Sequence, residues 1–325
     1  MPCNIPKYFF LTLITFASLV SIQSKPIIGI YTNPTTRDAT DITEAYISPS
    51  YVKWLEAAGA EIIPIHSWYS DSELDNVLSK VNGVLFQGGS NLLRIDSPFV
   101  ITATKIFNRV IKEKDESNKV LPIWGTCQGF ELFHVIVSGS RSILDNFSAW
   151  NLPTNLQINS DANKTSKIYS LFSDQDIINL IAEPLTAEFH HLGIGLKEYN
   201  LFPDVENFFD KTSFAFDNDN KLYVSSIEAK DYPIYAVQYH PEKTSYDKIY
   251  TDNIPQGIDA VRITQNLANY FVNTARSNTN SMTEDEKKKF GLINIYQMTT
   301  EKNDNYDVYI FKKPTVQINA IKFLS

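Results

Sequence analysis

The sequence predicts an α/β fold: a doubly wound, mostly parallel sheet covered by helices on both faces. Three observations predict it. Short, nearly continuous apolar runs recur through the first half of the chain, helical patterns separate them, and the runs lack the polar alternation of a half-exposed strand. With 43% hydrophobic and 20% charged residues, the 325-residue chain has ample material for a core, which sets disorder aside.

The elements follow in order. Ile27 to Tyr31 reads as a buried strand, and 48–58 as a helix that opens on Ser48-Pro49 and stops at Gly59. Glu61 to Ile65 is a second strand, and 71–81 a second helix that starts Asp71-Ser72-Glu73. Gly83 to Phe86 is a third strand, which ends in Gly88-Gly89-Ser90. Over 99–113, Val100, Ala103, Ile106, Phe107 and Val110 fall at helical spacing. Val120 to Trp124 is a fourth strand, followed at once by a helix from Gln128 to Val137. The stretch 140–210 shows short mixed patterns. Beyond it, Lys221 to Glu228 and Ile234 to Tyr239 read as strands and 256–275 as an amphipathic helix. Ile293 to Tyr296 and Val308 to Phe311 also look strand-like. No repeat and no linker divides residues 25–325, which read as a single domain including the C-terminal tail.

Residues 1–24 have the layout of a cleaved signal peptide: Lys7, an apolar run from Tyr8 to Val20, then small residues Ser21 and Ser24. The uncharged stretch from Tyr8 to Ser24 is marginal against the roughly 20 residues that span a bilayer, which favours a cleaved signal over an uncleaved anchor. No other apolar run approaches a span, so no membrane segment is expected after its removal. Asn146-Phe147-Ser148 and Asn163-Lys164-Thr165 are glycosylation acceptors consistent with that route. The net charge of −8 leaves no basic footprint for nucleic acid. The only cysteines are Cys3, inside the leader, and Cys127. The mature chain therefore has no internal disulfide, and its lone thiol is either a buried hydrophobe or a reactive group.

The surroundings of Cys127 favour reactivity. Trp124-Gly125-Thr126-Cys127-Gln128-Gly129-Phe130 carries an apolar strand through Gly-x-Cys-x-Gly into a helix, the nucleophile-elbow arrangement with sulfur in place of a hydroxyl. It would set the sulfur at the carboxyl edge of the sheet and at a helix N-terminus, where a thiolate is favoured. A thiolate nucleophile needs an imidazole and an orienting acceptor. Of five histidines, His66 and His134 read as structural, whereas His240 follows the apolar run ending at Tyr239 and precedes Pro241-Glu242. Glu242 can turn back to accept from the His240 ring and fix its tautomer. Neither a metal-ligand cluster nor a phosphate loop is present, so no cofactor and no metal are expected.

Gly125-Thr-Cys-Gln-Gly129 with Tyr239-His240-Pro241-Glu242-Lys243 resembles the class I glutamine amidotransferase-like superfamily. Four further segments narrow the resemblance: Lys25 to Tyr31, Ser50 to Gly59, Gly83 to Ser90, and Glu183 to His190. Across roughly 25–312 the chain is similar to the folate gamma-glutamyl hydrolases, peptidase family C26. The resemblance implies a flavodoxin-like core and hydrolysis of gamma-linked glutamates from folylpoly-gamma-glutamate, a small-molecule substrate. It also implies Cys127 as nucleophile, His240 as base and Glu242 as third member. His190 matches a second histidine near the site, and Gly88-Gly89 a loop supplying an oxyanion-hole amide, with the Gln128 N–H as the other donor. Two departures stand out: Gln87 occupies a position where the family commonly has proline, and His191-Leu192 replaces a Lys-Trp type pair. Thiolate–imidazolium pairing would suit acid conditions, so the expected location is the secretory pathway, ending in a lysosome or vacuole or outside the cell. A homodimer is compatible with the sequence and not specified by it. The rival readings are a glutamine amidotransferase, a hydrolase of small gamma-glutamyl amides, and an inactive binding protein on this fold.

Overall fold

The computed structural model describes residues 25–247, 253–300 and 307–314. The expected leader, with Cys3, lies outside the described residues, as does the end of the tail from 315 onward.

The central sheet has eight strands in the order Glu61–Ile65, Ile27–Tyr31, Gly83–Phe86, Ile123–Thr126, Ile234–Val237, Leu222–Ala229, Phe209–Phe216, Gln157–Ile158. The first five pair in parallel and the last three add antiparallel. Strand order therefore reverses beside Ile27–Tyr31, and in such sheets ligands bind outside the carboxyl ends of the strands near that point. The doubly wound expectation holds. Its parallel half is covered on both faces, and all five residues of Ile27–Tyr31 are buried.

Aromatic contacts define the two core layers. On one face Phe86 and Phe107 meet Phe133 at 5.1 and 5.5 Å, where helices Pro98–Ser117 and Gln128–Ser138 pack. On the other Trp124 lies between Trp54 of helix Pro49–Ala57 and Phe271 of helix Ile258–Ala275, at 5.8 and 5.9 Å. The sequence placed these helices correctly, with ends differing by a few residues. Helix Pro98–Ser117 runs past its expected end at 113 to a left-handed Asn118 cap, because Lys114, Asp115 and Glu116 include no glycine or proline to break it.

Two regions differ from the sequence reading. The stretch 140–210 contains a separate antiparallel pair, Asp145–Thr154 with Thr186–Gly193, whose register shifts between Asn146 and Ala149 and again between Trp150 and Leu152. Those irregularities break the period-two pattern that would have announced the strands. Asp307–Lys312 does form a strand, antiparallel to Glu44–Ile47. The strand expected at Ile293 to Tyr296, by contrast, is a single 3₁₀ turn over Ile293–Ile295. It follows directly on the Gly291 cap of helix Glu284–Phe290, and its apolar spacing reflects Ile293 plugging the core rather than a paired edge.

Asn146 is exposed on its strand. Asn163 lies in a short helix, and its side-chain amide donates to the Phe172 carbonyl at 3.2 Å and to Asp174 Oδ1 at 2.8 Å. Among the described residues no helix is long and apolar enough to cross a membrane.

Candidate active site

Strand Ile123–Thr126 runs straight into Cys127, and helix Gln128–Ser138 begins on the next residue. Cys127 takes φ 52°, ψ −105°, a conformation that side chains rarely adopt and that costs of order 1–3 kcal/mol. Two backbone bonds hold it: the Cys127 N–H donates to the Val237 carbonyl at 2.9 Å, and the Glu131 N–H to the Cys127 carbonyl at 3.0 Å. The flanking glycines make room. A Cβ on Gly125 would lie 2.7 Å from the Gly129 carbonyl carbon, and one on Gly129 would lie 2.3 Å from the Phe86 carbonyl oxygen. Only bare backbones let the turn seat between strand and helix.

His240 follows strand Ile234–Val237, and its N–H is anchored on the Ala187 carbonyl at 2.9 Å. Its Nδ1 lies 2.7 Å from Glu242 Oε1, within a pair that is almost wholly buried. With Nδ1–H donating to the carboxylate, Nε2 is left outside the pair, and no protein group bonds it. Gly88 sits between ring and sulfur: a Cβ there would meet His240 Cε1 at 2.7 Å and Cys127 Cβ at 3.4 Å.

The Gly88-Gly89 loop is fixed from three sides. Asn33 donates to the Gly88 carbonyl at 2.7 Å, Gln128 donates to the Asn91 carbonyl at 2.9 Å, and the Gly88 N–H donates to the Tyr51 hydroxyl at 2.8 Å. That hydroxyl also lies 3.3 Å from His240 Nδ1. The Gln128 N–H points at the Cys127 sulfur and lowers its pKa, but other effects dominate. Gln87 ties the loop to its neighbours: its amide donates to the Tyr46 carbonyl at 2.8 Å and its oxygen accepts from the Ser48 N–H at 3.0 Å.

The electrostatics run against the helix-terminus expectation. Burial pushes the Cys127 thiol well up, and the nearby carboxylates of Glu131, Glu242 and Glu188 push it further. Glu131, one helical turn beyond the sulfur, is itself raised to about 7 by burial. His190 falls on the other side of its strand from Phe189. Its Nδ1 donates to the Leu192 carbonyl at 2.7 Å, and its ring meets Tyr223 edge-on at 4.9 Å. Its Nε2 lies 3.2 Å from Glu188 Oε2, close enough for charge attraction but not aligned for a hydrogen bond.

A cavity of about 280 Å³ gathers Cys127, His240, Glu242, Gly88 and Gly89 on one wall and Tyr51, Trp150, Phe189 and Lys243 around it. His190 does not line this cavity, although Phe189 does. The tail reaches the rim through Val308, beside Tyr46 and Ser48.

The description Peptidase C26 belongs to the family model that matches residues 26–242, a span holding Gly88, Gly89, Cys127, His240 and Glu242. The chain belongs to the peptidase C26 family. Gamma-glutamyl hydrolase 1 of Arabidopsis thaliana is 33% identical over 301 residues, 90% of this chain and 85% of that protein. The Bos taurus gamma-glutamyl hydrolase is 34% identical over 278 residues, 85% of each chain, and the Homo sapiens one 31% over 272 residues, 83% of each.

Sequence reasoning missed several groups around this C26 site. Glu131 could have been found as a lone charge on an otherwise apolar helix, and Glu188 as one on a buried strand. Tyr51 and Trp150 carry no such signal, because their roles depend on which way two distant elements face.

Proposed function

We propose that this C26 peptidase hydrolyses the gamma-glutamyl bonds of folylpoly-gamma-glutamates through a thioester on Cys127. The observation that carries the reading is a strained-elbow thiol sharing one cavity with a buried His240–Glu242 pair whose Nε2 has no protein partner.

In this reading the thiol, held protonated by burial and three carboxylates, gives its proton to His240 Nε2 as sulfur attacks the gamma-carbonyl. Glu242 holds the imidazole and stabilises the charge it gains. The Gln128 N–H, which points at the sulfur before attack, is the first donor to the developing oxyanion. Since Tyr51 occupies the Gly88 N–H, the Gly89 N–H is the loop amide left to serve as second donor. His240 then protonates the leaving amine. Water, deprotonated by the same nitrogen, opens the thioester and releases Cys127.

The secretory leader, lysosomal, vacuolar or extracellular delivery, and glycan attachment at Asn146 and Asn163 belong to the same proposal. The test is incubation of the purified protein with pteroylpentaglutamate at acid and neutral pH, following product lengths. Shortened glutamate chains are expected, and Cys127→Ala should abolish them while melting like the wild type. Turnover of Cys127→Ala above a hundredth of wild type would overturn the mechanism.

A further inference from the structure

The rim of the cavity is aromatic, and its outermost member takes no part in the chemistry above. Trp150 is 56% exposed yet lines the same cavity as Cys127 and His240. A large apolar ring left in water at a cavity mouth is the arrangement of a binding platform. Local structure holds it there. The pairing of strand Asp145–Thr154 is interrupted between Trp150 and Leu152, where Asn151 takes a left-handed φ of 53°. Such bulges re-aim side chains and recur beside active sites. The bulge is itself tied down, because the Asn253 N–H donates to Asn151 Oδ1 at 2.7 Å.

The indole is backed as well as aimed. The His191 imidazole stacks on it with centroids 5.2 Å apart and planes within 10°. Phe189 meets it edge-on at 5.6 Å, and Phe189 in turn meets His240 edge-on at 5.9 Å. A continuous run of rings therefore leads from solvent to the catalytic imidazole. His191 covers one indole face, and the exposure of Trp150 leaves the other open. A histidine in this place is one of the two departures noted in the sequence, and the structure gives it a role as an underlay.

We infer that Trp150, backed by His191, is an aryl subsite. It stacks on a flat aromatic acyl group attached to the α-nitrogen of the glutamyl residue whose gamma-carbonyl is attacked. The chain thereby prefers bonds next to an aromatic group over bonds deep in an aliphatic glutamate chain. The inference rests on the gamma-glutamyl reading of this cavity.

The test compares kcat/KM for p-aminobenzoyl-gamma-glutamyl-glutamate with that for the N-acetyl analogue. The wild type should favour the aryl substrate about tenfold, a ratio within reach of aromatic stacking. Trp150→Ala should bring the ratio to within about twofold of one, mostly through KM, Trp150→Phe should keep most of it, and His191→Ala should fall between. A ratio unchanged in Trp150→Ala, or no preference in the wild type, overturns the subsite and leaves the gamma-glutamyl reading intact. A binding arm separates the converse case. p-Aminobenzoyl-glutamate should quench tryptophan fluorescence in the wild type, and Trp150→Phe should remove that quench. Quenching without hydrolysis of either substrate would sink the gamma-glutamyl reading alone, and a quench that survives Trp150→Phe would count against the subsite.

Discussion

Replacing His190 by alanine separates two roles that one residue could hold. The resemblance to the gamma-glutamyl hydrolases puts it beside the substrate. The geometry buries its ring between the Leu192 carbonyl, Tyr223 and Glu188, off the cavity wall. Glu188 is fully buried, and its Oε1 already accepts from Thr154 Oγ1 at 3.0 Å. Its Oε2 makes no hydrogen bond and lies 3.2 Å from the His190 ring, with the Tyr223 hydroxyl also beside this carboxyl. When the ring carries its second proton, taking it away strands the carboxylate in the interior, and breaking a buried pair from one side then costs about 3–5 kcal/mol. For a domain of this size that is a fall in Tm of roughly 5–15 °C. The variants Glu188→Gln and Glu188→Gln/His190→Ala complete a double-mutant cycle, and the double variant should recover part of the loss because no charge is then left unpaired. Urea unfolding and kcat/KM are measured together, at a temperature where every variant is folded. A His190→Ala protein that melts like the wild type but loses tenfold or more in kcat/KM would refute the argument, and would return His190 to the substrate.

Three further variants test the site and the core beside it. Gly88→Ala should cut kcat by about a hundredfold with little change in melting, because its Cβ would sit 2.7 Å from His240 Cε1 and 2.8 Å from the Tyr51 hydroxyl, displacing the imidazole; near-normal kcat would contradict the packing. Glu131→Gln removes a negative charge that raises the Cys127 thiol, so iodoacetamide labelling at pH 7 should speed up. Glu131 is raised from 4.5 to about 7, so its share of stability is present below about 4.5 and lost as pH rises through 7. The Gln variant should thus gain on the wild type by up to about 3 kcal/mol above pH 7, as read by urea unfolding across pH. His134 runs the opposite way. Burial lowers it from 6.5 to about 4, so stability present above 6.5 is lost as pH falls toward 4, and His134→Gln should flatten that acid limb. An acid limb of unchanged slope would place the titration elsewhere; His66, lowered to about 4 by burial, is the next residue to replace.

The parts of this molecule that were legible in its sequence are those whose cause is local. Gly125 and Gly129 declare the elbow because no side chain fits between strand and helix there, and the steric demand leaves its mark within five residues. His240, Pro241 and Glu242 are legible for the same reason: the Nδ1–carboxylate pair is made within three residues of chain. The rest is built from approaches between distant segments. Tyr51 looks like any buried helical aromatic until the Gly88 loop arrives and gives its hydroxyl an amide to accept from. Phe189 and His190 are neighbours in sequence, yet the strand turns one into the Cys127 cavity and the other toward Glu188 and Tyr223. Only the facing strand, with its two irregularities, fixes which is which. Ile293 to Tyr296 failed for a related reason, since apolar spacing records burial and not the presence of a strand to pair with. The chemistry of a nucleophile is thus written in short motifs that physical crowding enforces. The aryl subsite proposed for Trp150 depends on the register of a bulged pair, where sliding one residue would exchange Trp150 and Phe189 for the groups behind them.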